Sequence, residues 1–171
     1  GRTARRPAAG AEGSAAPRQR TRDRAWEGRA ALHAAAYVAS AYRLFDGRYE
    51  GAQGWTVDRY GGAVLIQNFH PEGAAEAELE TLLGFLRDLL GGELDVFLKE
   101  RSVRIPERAV GRQIWGEGPS SCEVAEDGLC FGVEFLHGAN TGLFLDARPL
   151  RAWVRDQSRG RRVLNLFSYT A

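Results

Sequence analysis

The strongest constraint on the fold is a leucine stripe. Leu79, Leu82, Leu83, Leu86, Leu89 and Leu90 recur at helical spacing, Glu76, Glu78 and Glu80 load the first half of the run, and Gly91-Gly92 ends it. A helix with one apolar face must bury it, and a stripe of this kind is core rather than a partner-binding surface. Sheet is predicted on both sides. Gly54 to Arg59 and Ala63 to Phe69 are rich in β-branched and aromatic residues and flank Tyr60-Gly61-Gly62, as two antiparallel strands do. Downstream, Asp95 to Lys99 and Ser121 to Leu136 read as strand, the second folded back at Asp127-Gly128. The sum is a compact α+β unit over roughly residues 40 to 137.

Its flanks differ. Trp26, Ala30, Ala34 and Val38 recur at four-residue steps in an Ala-rich background, predicting a long helix from about Arg22 to Ala41. Residues 1 to about 21 have no hydrophobic period and are expected to be disordered, and 46 to 54 is expected to be loop. A two-residue Asp127-Gly128 turn pairs 125 with 130 and 122 with 133. That register puts Cys122 and Cys130 on opposite faces, so no disulfide is expected. Farther on, Asp146 is placed to cap a helix that carries Pro149 in its first turn, buries Leu150, Trp153 and Val154, and finishes near Ser158 to Gly160. A strand from Val163 to Phe167 follows at once. Helix then strand, after an antiparallel unit, signals a change of domain.

Composition narrows the function classes. The 171 residues, 44% hydrophobic and 26% charged, suffice for one ordinary core. The net charge of +1 hides a crowd of arginines, Arg2, Arg5, Arg6, Arg18, Arg20, Arg22, Arg24 and Arg29. These form either an electrostatic foot for nucleic acid or a solvated tail shaped by composition, since Lys99 is the single lysine against them. No secretory signal or membrane-length apolar run is visible, and neither cysteine nor His137 has partners at metal-ligand spacing. A cytoplasmic protein without metal or membrane is expected. With no Met in the chain, and an end one residue past a glycine-demanding turn, truncation at both ends is expected.

Residues just past the carboxyl end of an apolar strand face the ligand crevice of an open α/β sheet, and Ser168, Tyr169, Thr170 and Ala171 occupy that place. Any doubly wound fold starts this way. Three ordered stretches are more specific: Gly-Trp-Thr-Val-Asp-Arg-Tyr-Gly at 54 to 61, Asn-Thr-Gly-Leu-Phe-Leu-Asp-Ala-Arg at 140 to 148, and Val-Leu-Asn-Leu-Phe-Ser-Tyr-Thr-Ala at 163 to 171. Together they resemble the bacterial class I S-adenosylmethionine-dependent methyltransferases of large-subunit ribosomal RNA, the group that includes cytosine-C5 and guanine-N7 enzymes. The resemblance covers most of residues 40 to 171 and leaves out the arginine-rich start.

The resemblance implies an α/β protein. An Arg-rich tail, 1 to 21, precedes a small α+β domain on the substrate side, 22 to 137, and then the first helix and strand of a truncated Rossmann-like methyltransferase domain, 138 to 171. It implies S-adenosyl-L-methionine as cofactor and RNA, ribosomal in kind, as partner. Thr141, Gly142, Asp146 and Arg148 would lie at the entrance of the cofactor pocket, and Asn165, Phe167, Ser168, Tyr169 and Thr170 would form the first motif. Ala171 departs from the family's usual Gly and narrows the cofactor's approach. Plainer readings stand beside these: Asp146 as a cap, Arg148 as a solvated helix residue, Leu166 and Phe167 as sheet core. Trp55, Arg59 and Tyr60 could form a stacking and phosphate-binding patch for RNA, or belong to a hairpin packed on its own helix.

No catalytic residue is expected in this stretch. Methylating a cytosine carbon needs a cysteine thiolate, whereas a guanine ring nitrogen does not. Cys122 and Cys130 do not match the family's catalytic cysteine and are expected to pack. By itself the chain is expected to be inactive. The alternatives are an RNA-binding module without catalysis and a methyltransferase of a non-RNA substrate.

Overall fold

The computed structural model describes residues 40–101 and 111–166. Five strands form one sheet in sequence order: β1 (Ala41–Asp46), β2 (Trp55–Tyr60), β3 (Ala63–Asn68), β4 (Asp95–Glu100) and β5 (Arg112–Trp115). Neighbours are antiparallel except β3 and β4, which run parallel. A parallel pair needs a long crossover, and the leucine-striped helix α2 (Glu76–Leu90) supplies it. Leu82 and Leu86 are buried against Leu44, Val57, Val64, Ile66, Val96 and Leu98, with Leu79, Leu83, Leu89 and Leu90 packed around them. Each leucine fully buried in this way contributes about 1.5–3 kcal/mol. The stripe is core, as its period predicts.

The margins of the sheet differ from expectation. Ala41 opens a strand instead of closing a helix; Tyr42 and Phe45 suit a pleated surface, and β1 completes the β2–β3 hairpin. The Ala-rich run before it lies outside the described residues. The expected loop at 46 to 54 contains one helical turn, α1 (Gly47–Glu50), whose first free amide, Arg48 N, donates to Asp46 Oδ1 at 3.1 Å. The short edge strand β5 was not anticipated, because four residues carry too little alternation to stand out.

A second hairpin, β6 (Ser121–Glu126) and β7 (Leu129–Glu134), covers part of the sheet face opposite α2. Ala125 pairs with Cys130 and Cys122 with Val133, the predicted register, and both cysteines are free thiols. Asp127 and Gly128 have φ of 49° and 84°, the left-handed pair that a tight two-residue hairpin turn requires. Between hairpin and sheet, Val124, Val133, Phe135 and Leu143 pack on Tyr60, Ala63, Leu65 and Phe97. The Phe97 and Phe135 rings stack at 4.7 Å, and Tyr60 meets Phe135 edge-on at 5.5 Å.

Helix α3 (Arg148–Ser158) ends where predicted but docks the other way round. Asp146 does not cap it. Asp146 sits inside a 3₁₀ turn, Leu145–Ala147, which leaves Ala147 at the cap position with no side chain to bond; Pro149, lacking an N–H, removes one donor that would need a cap. Leu150, Trp153 and Val154 are 60%, 61% and 37% exposed instead of buried. Arginines make the contact: Arg148 forks onto Asp127 at 2.8 and 3.2 Å, Arg151 onto Glu126 at 2.7 Å through two nitrogens, and Arg155 donates to Asp127 O at 2.8 Å.

The strand expected from Val163 to Phe167 is not formed among the described residues. Residues 162 to 165 have no regular structure, and Val163, Leu164 and Leu166 are exposed. A strand is held by its ladder, and no described strand pairs with this run. Phe167 lies outside the described residues. The mixed α/β class holds.

Candidate functional site

At one end of the hairpin-side face the apolar cover gives out and the sheet turns polar. Thr56, Asp58 and Tyr60 alternate onto this face of β2, with Gln67 opposite Thr56 on β3. On β1 a one-residue shift between Arg43 and Phe45 sets Arg43 against Asp58 and Asp46 against Thr56. Two residues three apart, which regular pleating would send to opposite faces, thus share one. Arg43 Nε and Nη2 donate to the two Asp58 oxygens at 2.7 and 3.1 Å, and its Nη1 reaches Asp46 Oδ2 at 3.2 Å. Gln67 Nε2 adds a third donor to Asp58 at 3.3 Å.

Burial pushes the Asp58 carboxyl up, against the hydrogen bonds and charge of Arg43, while the bond to Asp58 holds Arg43 more firmly cationic than a free guanidinium. Asp46 is held down to about 2, first by the Arg48 side chain, with burial opposing.

The facing wall is the segment after β7. Its carbonyls are gripped from β4: Lys99 Nζ donates to Gly138 O at 3.2 Å and His137 O at 3.5 Å, and Arg101 Nη1 donates to Ala139 O. Lys99 is fully buried; burial, then the charge of Arg101, push its ammonium below the usual lysine range, against the pull of Glu134. Glu134 accepts from Leu136 N at 2.9 Å and lies 3.4 Å from His137 Nδ1. Thr141 is buried, its Oγ1 donating to Leu143 O at 3.3 Å and so accepting from Tyr60 OH at 3.2 Å. Burial, then the neighbouring Asp58, raise the Tyr60 phenol. Gly142 follows at φ +94°, a conformation that glycine adopts freely.

Between these walls lies a cavity of about 200 Å³. Arg43, Asp58, Gln67 and Phe69 line it from the sheet; Asn140, Thr141, Phe144 and Asp146 line it from the loop. The lining offers amide donors and acceptors, aromatic surface and one exposed carboxylate, Asp146. It holds no thiol: the Cys122 Sγ donates to Tyr60 O at 3.7 Å, and burial raises its pKa. This is binding chemistry rather than a reaction centre. Among the described residues no group of three His, Cys, Asp or Glu side chains could hold a metal, and no helix is long and apolar enough to cross a membrane.

Of the site residues expected from sequence, Thr141 and Asp146 line this cavity and Gly142 lies in the same loop. Arg148 is drawn away onto Asp127 and does not line the pocket, its side chain staying 32% exposed. Asn165 lies in the exposed irregular run, and Phe167, Ser168, Tyr169 and Thr170 are outside the described residues. Trp55, Arg59 and Tyr60 do not form one surface. Trp55 is 4% exposed in the α2 core with Nε1 donating to Glu78 at 3.2 Å, Tyr60 is buried in the opposite core, and Arg59 Nε donates to Gly61 O at 2.7 Å. Neither buried ring presents a face for a base. Sequence reasoning missed Arg43, Asp58, Gln67 and the Lys99–Arg101 grip. The available signals were an aspartate in an otherwise inward row of β2 and the only lysine, set in an apolar strand.

The family model described as S-adenosylmethionine-dependent methyltransferase matches residues 44–171. Over 138 residues the chain is 34% identical to YwbD of Bacillus subtilis, assigned as a ribosomal RNA large subunit methyltransferase; the match covers 77% of this chain and 33% of YwbD. Over 135 residues it is 35% identical to ribosomal RNA large subunit methyltransferase I of Yersinia pseudotuberculosis, with the same 77% and 33% coverage. The chain therefore spans about a third of the length of these curated relatives. A Streptococcus mutans protein assigned as a SAM-dependent methyltransferase shares the fold at a TM-score of 0.68 and 22% identity, over 86% of this chain and 38% of that one. SMU.776, assigned as a methyltransferase and complexed with SAH, follows at 0.64 and 21%, over 82% and 36%.

Proposed function

The chain belongs to the S-adenosylmethionine-dependent methyltransferases, and on that premise we propose that it is part of an enzyme methylating a base of large-subunit ribosomal RNA in the cytoplasm. Residues 22 to 137 are its substrate-side domain and residues 138 to 171 begin its Rossmann-like cofactor domain. The carrying observation is the Asn140–Asp146 loop, which follows the carbonyls of residues 137–139 held by Lys99 and Arg101 and forms one wall of a polar cavity. Leu150 and Trp153 on α3, and Val163, Leu164 and Leu166 after it, are large apolar side chains left in water, which supports a docking site for the remainder of the cofactor domain.

The lining fits the cofactor in part. A cavity of about 200 Å³ is smaller than the several hundred Å³ that cofactor pockets occupy, so this chain supplies one wall. Asp146 offers a carboxylate to the cationic end of S-adenosyl-L-methionine, and Thr141 and Gly142 bring backbone close to it. Asn165, Phe167, Ser168, Tyr169 and Thr170 provide the first motif. Arg148 acts at one remove, by holding α3 to the hairpin. When bound, the cofactor supplies an electrophilic methyl group; the task of the residues in hand is to align cofactor and base and to exclude water.

The test is transfer of labelled methyl from S-adenosylmethionine by the complete protein into unmodified, deproteinised large-subunit rRNA. Label in a single RNA base is expected; label found only in protein or small molecules would overturn the reading. The chain Gly1–Ala171 alone is expected to transfer nothing, and a saturable micromolar cofactor isotherm from it would contradict the division of the pocket.

A further inference from the structure

We propose that Lys99 is a positioning residue for cofactor binding: without lining the cavity, its amine holds the carbonyls of His137 and Gly138 and so fixes where Thr141 and Asp146 stand. The inference rests on the cofactor reading above and adds which side chain sets that loop in place.

On energetic grounds the lysine is unexpected where it is. It is fully buried in β4, on the same face as Phe97, where a methionine would fill a similar volume and bring no charge into the interior. Its hydrogen bonds go to two backbone oxygens; Arg101 repels it, and Glu134 acts on it through charge alone. The stem has little freedom to run elsewhere, since a β-carbon at Gly111 would lie 3.1 Å from Lys99 Cε and closer still to Phe135 O. Burial, then Arg101, lower the lysine's pKa, so the unfolded chain holds the proton more tightly than the native one and the charge destabilises the fold. Apolar packing alone gives no reason for a cation in this place.

What the cation does is local and directional. Residues 134 to 141 form a closed loop, with Glu134 N donating to Thr141 O at 3.1 Å across its neck. At its tip three successive carbonyls, those of His137, Gly138 and Ala139, turn toward β4; Lys99 takes the first two and Arg101 the third. A charged donor binds carbonyl oxygens more strongly than a neutral one and holds several of them together at one point. Thr141 both closes this loop and begins the cavity wall that ends at Asp146, so a displaced tip displaces the wall.

The experiment uses the complete protein, measuring S-adenosylmethionine Kd by calorimetry and melting temperature for wild type, Lys99→Met and Lys99→Gln. Near neutral pH, Lys99→Met is expected to raise Kd on the order of tenfold, the loss of a charge-assisted bond. Its melting temperature should match or exceed that of wild type, because a buried charge has been replaced by an apolar chain of similar volume. Lys99→Gln, which keeps a neutral donor on a shorter stem, should lie between the two in Kd. Raising the pH should then shrink the Kd ratio of Lys99→Met to wild type as Lys99 loses its proton, below its ordinary value of 10.5. Arg101, Glu134 and His137, which face Lys99, and the amino group of the cofactor are common to both proteins, so the ratio reports Lys99. A Kd for Lys99→Met within about twofold of wild type overturns the proposal. So does a ratio that stays constant as pH rises, or a melting temperature that falls in step with affinity in both variants, which marks general loosening. Wild-type protein with no cofactor affinity sinks the cofactor reading and this inference together; a wild type that binds beside an indifferent Lys99→Met sinks this one alone.

Discussion

Helices α2 and α3 attach to the same small body by opposite means. The first presses leucines into the sheet; the second fastens arginines to the turn of a hairpin and leaves Leu150, Trp153 and Val154 outside. Apolar burial is non-directional and fills a volume, whereas guanidinium–carboxylate forks fix a position and an angle while burying little. The pairing teaches that α2 is a finished part of this unit, and that α3 is held in readiness with its hydrophobic side available.

The contrast can be broken most directly at Leu86. Leu86→Ala removes a fully buried side chain and is expected to lower unfolding free energy by about 2–5 kcal/mol in urea titration. A loss under about 1 kcal/mol would mean that α2 is not core. Arg151→Ala should cost less, about 1–3 kcal/mol, because Glu126 is nearly buried but the arginine keeps some contact with water. Its signature is local, a rise in amide exchange confined to residues 148–158. Exchange rising equally in α2 would contradict separate fastening.

Acid should sharpen the difference further. The Arg148 side chain, first through its hydrogen bonds, holds Asp127 below its ordinary value of 3.8. A depressed carboxylate stabilises fully above the unfolded pKa and loses that contribution as pH falls through the native one. Titrating from about pH 5 to about pH 2 should loosen α3 while the leucine contacts of α2, which carry no proton, persist. Asp127→Asn should remove the α3 component of the pH slope, and an unchanged slope would count against the ion pair. The smallest effect belongs to Trp153→Ser, expected within about 0.5 kcal/mol in the chain described here because the indole already faces water. A loss matching that of Leu86→Ala would show Trp153 to be buried.

Sequence reasoning reached those parts of the molecule whose causes are local. The α2 stripe, the Gly61-Gly62 and Asp127-Gly128 turns and the cysteine register each follow from a period or a turn within a few residues. The orientation of α3 was beyond its reach. The helix has an apolar and a basic face of similar width, and only the acidic turn at Glu126-Asp127 decides which one docks. Family resemblance pointed to the loop whose Thr141 and Asp146 line the cavity, but the Arg43–Asp58–Gln67 floor was out of its reach, since it depends on strand pairing across a register shift that no residue type announces.

That register shift turns the electrical character of the cavity into a matter of counting. Draw β1 into unbroken pairing with every residue kept, and its far end would rotate by a pleat: Asp46 would be offered to the leucines of α2, and Arg43 would lose its second carboxylate. The floor of the pocket is thereby written in the pairing of β1 as much as in its side chains, and a protein that kept every one of its charged residues would lose the site if that shift were smoothed out.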